Sequence, residues 1–269
     1  MPTYEENKTI WDGRYNWKNR GDEWSAAWGG PFMQWYGSIL PRIRSHVPTS
    51  SILEIACGYG RWTQYLKDLC KHLTVIDISE ECIEACKQRF SEYTHIQYYV
   101  NDGTSLSMIP DGSTDFVFSF DSLVHANEFV IDAYLSQLPR ILNINGVAFI
   151  HHSNLGEYNE MYSKVRKVPK LEQLLSKIGI LEKKLFWRDF SVDSKKVELL
   201  AEKYGLKCIS QETVLWGTKK TFIDCMTIIV RSDSPIVVPN RMFKNANFMQ
   251  EAHNLLQLSR LYSPDKRTI

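Results

Sequence analysis

Short apolar runs recur along this chain at residues 51–56, 73–78, 96–100, 115–120 and 146–151, each rich in Ile, Val or Phe and bounded by turn residues. Runs of that length and composition predict strands. Between them lie segments with helical signals. Residues 61–71 predict a helix, Ser79 supplies an N-cap for a second with Cys82 in its first turn and Arg89 in its last, and residues 127–142 predict a third. Asn145-Gly146 predicts a turn ahead of the fifth strand. This alternation predicts a parallel sheet covered by helices on both faces. Farther on, residues 194–204 predict a helix closed by Gly205, and residues 206–214 and 221–230 predict two closing strands joined around Trp216-Gly217.

The flanks differ from this body. Residues 1–48 are aromatic and irregular, with Trp11, Tyr15, Trp17, Trp24, Trp28, Phe32, Trp35 and Tyr36, and Gly29-Gly30-Pro31 breaks the stretch. Residues 32–43 are its clearest helix. The alternating body occupies residues 49–232, interrupted at 154–190 by a basic insertion carrying Lys164, Arg166, Lys167, Lys170, Lys177, Lys183, Lys184 and Arg188. Pro235 and Pro239 mark a linker in residues 233–269, and residues 247–261 predict an amphipathic helix with Phe248, Leu255, Leu258 and Leu261 near one face.

Composition narrows the classes. A chain of 269 residues with 43% apolar content fits one large domain with a real core. A net charge of +1 gives no global reason to expect nucleic acid. No window approaches the roughly 20 apolar residues that span a bilayer, and the first residues lack the basic and apolar regions of a secretory signal. The expectation is a cytoplasmic protein, with peripheral association at the inner face of a membrane left open. The six cysteines form no Cys-x-x-Cys pair. Cys82 and Cys86 share a helical face, yet small apolar residues in a reducing compartment account for them better than metal ligation does.

The chemistry concentrates in Ile52-Leu53-Glu54-Ile55-Ala56-Cys57-Gly58-Tyr59-Gly60 and in Asp77, which closes the second strand. A strand, a tight turn, a helix and a second strand, with carboxylates at both strand ends, build a nucleoside pocket at the carboxyl edge of a parallel sheet. Two glycines let a backbone approach a ligand, and a helix amino terminus favours an anionic group. A nicotinamide dehydrogenase is the rival for such a turn, but Thr63 stands where its third glycine belongs.

With Glu54, Gly58, Gly60 and Asp77 placed, the chain resembles the class I S-adenosylmethionine-dependent methyltransferases. Asn101-Asp102-Gly103 after strand three, residues 115–125 as strand four and its loop, and residues 139–150 as helix, turn and strand five agree with that family's order, over about residues 48–231. The resemblance implies an α/β, Rossmann-like three-layer sandwich with a mostly parallel seven-stranded sheet and an antiparallel closing strand. It implies S-adenosylmethionine as cofactor, its ribose diol on Asp77 and its adenine amino group on Asp102. Glu54 orders the loop or meets the cofactor's ammonium through water. Ala56, Ile78, Gly103 and Ser119 complete the expected cofactor shell. Ala56 departs from the family, which usually has glycine there.

Methyl transfer requires alignment of the acceptor and, for a hydroxyl, removal of its proton. Candidate bases belong on the loops after strands four and five. His125, His151 and His152 fall there, and strand periodicity sends the last two to opposite faces. Asp121 orients a histidine, binds a sugar hydroxyl or caps its loop. A divalent ion among Asp121, a strand-five histidine and Asn154 is a poorer fit, because histidine and amide ligands suit magnesium badly. Phe120-Asp121-Ser122-Leu123 lacks the Asn-Pro-Pro-Tyr pattern of amide-methylating relatives, so oxygen is the expected acceptor atom.

The tryptophan-rich segment reads either as a lid whose rings stack on sugars, with Trp28 and Trp35 as candidates, or as a buried cover. Residues 28–32, 60–63, 151–154 and 187–188 are similar to bacterial methyltransferases of surface-polysaccharide biosynthesis. Arg188, the one cation of the insertion flanked by aromatics, is the candidate for a carboxylate or phosphate of the acceptor, and Asn154 is a further acceptor-binding candidate. The expected partner is a carbohydrate or glycolipid-linked acceptor, with a small natural product or quinone precursor, a non-catalytic cofactor-binding module and a homodimer through the last helix as open alternatives.

Overall fold

The computed structural model describes residues 8–168 and 187–263, with residues 170, 175, 177 and 185 between them. Lys183, Lys184 and part of the basic insertion lie outside the described residues.

The strands are β1 (Thr49–Ile55), β2 (Cys70–Asp77), β3 (Ile96–Val100), β4 (Thr114–Ser119), β5 (Leu142–Ser153), β6 (Leu206–Val214), β7 (Asp224–Arg231) and β8 (Arg241–Asn245). They form one sheet in the order β3-β2-β1-β4-β5-β7-β6-β8. β7 runs antiparallel to both β5 and β6, and the other pairings are parallel. The order reverses at β1, which puts the ends of β1, β2 and β4 side by side. A ligand crevice belongs at that point.

Alternate residues supply two separate core layers. On one face Ile52, Val75, Phe116 and Phe118 pack with Trp28, Trp35 and Phe248 from the two flanks. On the other, Leu53, Ile76 and Val117 meet Ile131, Leu135 and Leu138 of α5 (Glu128–Ile141) and Val197 of α7 (Ser194–Lys203). Side chains of successive strand residues point to opposite faces, so each strand feeds both layers. The flanks therefore belong to the same core as the sheet.

Local signals mostly act where the sequence places them. Ser79 Oγ accepts from Cys82 N at the start of α4 (Glu80–Arg89), and Asn127 accepts from Val130 N at the start of α5. The early helix of the N-terminal flank is realised as α1 (Pro31–Gln34), a wider turn over Trp35–Ile39 and α2 (Leu40–Ile43).

Four differences have identifiable causes. The helix after the glycine turn is short, α3 (Thr63–Leu66), because β2 already starts at Cys70. Asn145-Gly146 makes no turn: it lies inside β5, where the register with β4 shifts. A Cβ on Gly146 would sit 2.8 Å from the Thr114 carbonyl oxygen, so close backbone approach is why glycine occupies the position. The sheet has eight strands instead of seven, since β8 adds in parallel to β6 after the proline linker.

The final helix, α8 (Phe248–Tyr262), buries Phe248 and Ala252, whereas Leu258 and Leu261 are exposed at 50% and 73%. Its contact line is set by glycines: a Cβ on Gly37 would lie 2.3 Å from Leu255 Cδ1, and one on Gly29 3.3 Å from Leu256 Cδ1. Gly37→Val should displace Leu255 and lower unfolding stability by about 1–3 kcal/mol in chemical denaturation, with earlier proteolysis of α8.

Candidate functional site

At the carboxyl edge of the sheet the chain leaves β1 through three residues of left-handed φ: Ala56 at 59°, Gly58 at 53° and Gly60 at 81°. Ala56 adopts a conformation that costs a non-glycine residue about 1 kcal/mol or more. The turn is tied to β2 by Ala56 N donating to the Ile76 carbonyl at 2.8 Å. Asp77 completes the tie. Its carboxylate accepts from Gly58 N and from Ser79 N, each at 2.9 Å. Burial pushes the Asp77 carboxyl up to about 6, against the pull of those amides.

This turn forms one side of a cavity. Ala56, Gly58, Asp77, Ile78, Asn101 and Gly103 line it toward β2 and β3. Leu123, Ala126, Val130 and Tyr134 add apolar wall. The Asn101 amide donates to Ser105 O and Tyr134 Oη, both at 3.1 Å, which fixes its plane at the end of β3.

Toward β4 the cavity is lined by Trp11, Trp24, Arg20, Arg61, Asp121 and His125. Arg61 donates to Asp121 Oδ2 at 2.8 Å, and its guanidinium lies over the Trp24 and Trp62 rings at 5.1 and 4.5 Å. The His125 ring stands 5.8 Å from Trp11, and its Nδ1 is 3.1 Å from the Trp187 carbonyl oxygen. A carbonyl only accepts, so Nδ1 carries the proton and the lone pair resides on Nε2. Burial first, then the Arg188 charge, pushes the His125 pKa down to about 4, so the imidazole is neutral at pH 7.

The N-terminal segment covers this cavity. Ser79 Oγ donates to Asp12 Oδ1 at 2.9 Å, and Trp17 stacks on Tyr59 at 4.7 Å. A Cβ on Gly58 would meet the Trp17 ring at 3.1 Å, so this glycine makes room for the cover. Gly60 faces away from the cavity, toward Phe90 at 2.5 Å from its own would-be Cβ.

Several expected site residues have other partners. Asp102 is exposed and caps its turn through Thr104 N and Ser105 N; Asn101 and Gly103 reach the cavity in its place. Glu54 is buried, accepts from Thr63 Oγ1 at 2.6 Å and is pushed up to about 8 by desolvation. Ser119 is buried and donates to Ile55 O at 3.0 Å.

His152 is a core histidine: Nε2 contacts Thr227 Oγ1 at 2.7 Å and Nδ1 contacts Ser153 O at 2.8 Å, with no place on the cavity wall. His151, on the opposite face, is buried against Phe120 and Trp216. Trp28 and Trp35 are buried, packed on Trp216 and Tyr65 respectively. Asn154 is spent on Phe222 O, Glu157 and Ser194 N. Arg188 forms a two-point ion pair with Asp224, both bonds at 2.8 Å, and so does not await an acceptor anion. The N-terminal tryptophans on the cavity wall are instead Trp11, Trp17 and Trp24. Nothing in the local pattern distinguishes them from Trp28 and Trp35, but Arg61 could have been read from its place directly after the glycine turn.

Known proteins resemble this chain in sequence over part of its length and in fold. Residues 52–146 match the methyltransferase-domain family. Nodulation protein S of Bradyrhizobium diazoefficiens is 31% identical over 30% of this chain and 39% of its own length. Phosphoethanolamine N-methyltransferase of Triticum aestivum is 26% identical over 46% of this chain and 26% of its own. The chain thus spans well under half the length of these curated relatives. Among solved structures, an S-adenosylmethionine-dependent methyltransferase from Clostridium acetobutylicum aligns with TM-score 0.54 and 13% identity, over 74% of this chain and 91% of that one. The DhpI–SAH complex aligns with TM-score 0.53 and 16% identity, over 87% and 98%. The match over residues 52–146 is a similarity to the methyltransferase-domain family, and the solved structures show the fold to be Rossmann-like. The methyltransferase-domain match, with solved neighbours named for S-adenosylmethionine or SAH, makes S-adenosylmethionine the group to fit to this cavity.

The residues present fit that group. Asp77 is a buried acceptor suited to a ribose diol, Asn101 and Gly103 present polar atoms beside it, and Ile78, Val130 and Leu123 offer apolar surface to a purine. Bound there, S-adenosylmethionine supplies an activated methyl group on a sulfonium.

Two outcomes follow. A diol donates best to an ionised carboxylate, so S-adenosylhomocysteine affinity, measured by calorimetry, should fall as pH drops through about 6. Asp77→Asn should weaken it on the order of 10²-fold. Glu54 is protonated when folded, and its contribution is complete below its ordinary 4.5 and lost as pH rises to about 8. Glu54→Gln should therefore gain melting temperature relative to wild type progressively across that window.

Proposed function

We propose that this protein is an S-adenosylmethionine-dependent O-methyltransferase that acts on a hydroxyl of a sugar-containing acceptor. His125 carries this reading: a neutral imidazole, its proton committed to the Trp187 carbonyl, on the wall of the cofactor-type cavity beside Asp121. The hydroxyl proton passes to Nε2 as the oxygen takes the methyl group, and a neutral thioether is left behind. Trp11 and Trp24 give the acceptor end flat aromatic faces for a sugar ring. Arg20 lies on the same wall and adds a positive charge to it, which favours an acidic sugar.

An amine acceptor is the second reading, favoured by the name of the wheat relative. Asp121 is the carboxylate on this wall that would attract an ammonium, but Arg61 already neutralises it. Among the described residues no helix is long and apolar enough to cross a membrane, so a lipid-linked acceptor would be met at a surface.

Methyl transfer from labelled S-adenosylmethionine to uronic-acid oligosaccharides, neutral oligosaccharides, phenols and phosphoethanolamine separates the readings. Label on oligosaccharide oxygen is the expected result; label only on phenol or amine overturns it. His125→Gln should lower turnover about 10²–10⁴-fold with cofactor affinity kept. Turnover should hold level from pH 8 to 6 and decline only as His125 protonates toward about 4.

A further inference from the structure

Beneath the β4 loop the buried side chains of His151, Asp224 and Arg188 lie in a chain of contacts that begins and ends at Asp121 on the cavity wall. Asp121 N donates to His151 Nδ1 at 3.1 Å, so the His151 proton is on Nε2, which stands 3.5 Å from Asp224 Oδ2. Asp224 opens β7 and is fully buried. It takes both prongs of the Arg188 guanidinium at 2.8 Å. Arg188 Nη2 is in turn 3.8 Å from Asp121 Oδ1. Asp121 thus has its backbone and its side chain held from the same ion pair, while Arg61 holds its other oxygen. This explains how a non-glycine residue persists at φ 63° there.

The same arginine controls the neighbouring peptide. The carbonyl of Trp187 precedes Arg188 N, which donates to Leu185 O at 3.1 Å. That carbonyl accepts from His125 Nδ1. The guanidinium anchors the Trp187–Arg188 peptide to β7, and the peptide decides which imidazole nitrogen carries the proton. We propose that Arg188 is a positioning residue, which through Asp224 and the Trp187 carbonyl holds His125 as its Nδ1–H tautomer and Asp121 in its left-handed turn.

This role rests on the reading of His125 as base, but its test does not require turnover. The charged groups around His125 are Arg188, Asp121 and Asp224. Despite its burial, Arg188 keeps Asp224 ionised far below the ordinary carboxylate range. Removing Arg188 alone would strand that charge, so two variants are needed. Arg188→Lys keeps the charge without the two-pronged fork. The double variant Arg188→Met/Asp224→Leu removes both charges together and keeps the site filled, a change that buried pairs commonly tolerate.

Imidazole nitrogen shifts of His125, assigned by their loss in His125→Gln, are read by NMR on the protein saturated with S-adenosylhomocysteine. Wild type should show the Nδ1–H tautomer. Both variants should move toward Nε2–H or a mixture, with the S-adenosylhomocysteine affinity unchanged within about twofold. Retention of the wild-type tautomer in both variants overturns the proposal. Where an acceptor is turned over, Arg188→Lys should lower kcat by about 10–100-fold with little change in KM. An amine acceptor would defeat the proposed function yet leave the tautomer result standing, so the two failures are distinguishable.

Discussion

The hydrogen bond from Gly58 N to the buried carboxylate of Asp77 is the interaction on which the site depends. It joins the turn after β1 to the end of β2, and the parallel register of those strands brings the two points together. Taking a carboxylate out of water is costly, and the amides of Gly58 and Ser79 offset part of that cost without neutralising it. What remains is an acceptor held in place before any ligand arrives. A diol meeting it loses little to rearrangement, the condition for tight recognition of a nucleoside.

The other end of the cavity is organised by charge instead of backbone. Arg61, Asp121, Arg188 and Asp224 alternate in sign within a buried volume. Each ion would be prohibitive there alone; as a connected set they satisfy one another, and the gain is orientation more than stability. Asp121 and His125 owe their positions to it. Cofactor recognition thus draws on adjacent strands, while the acceptor end draws on β4, β7 and the segment around residue 188, which are far apart in the chain.

The flanks close the arrangement. Trp17 over Gly58 and Asp12 on Ser79 register the N-terminal cover to the nucleoside end. Trp28, Trp35 and Phe248 anchor the same segment and α8 to the sheet. One aromatic stretch therefore does two jobs, cavity wall up to Trp24 and core from Trp28 onward.

The strand and helix order, the parallel sheet, the Ser79 cap and the Asp77 position were legible because each depends on neighbours a few residues away. Period-two apolar runs, capping residues and a glycine turn carry their physics locally, and strand alternation even separated His151 from His152. That both of those histidines are buried was not legible, since Thr227 and Asp224 arrive from a strand some seventy residues later. For the same reason Arg188 looked like a free cation: its partner Asp224 is 36 positions away. The eighth strand and the choice of Trp11 and Trp24 over Trp28 and Trp35 also awaited packing. By itself the sequence determined the fold class and the turn that joins Gly58 to Asp77, whose contacts are local. Only the tertiary structure decided which charges are paired and which aromatics line the cavity, because burial and pairing are properties of distant segments brought together.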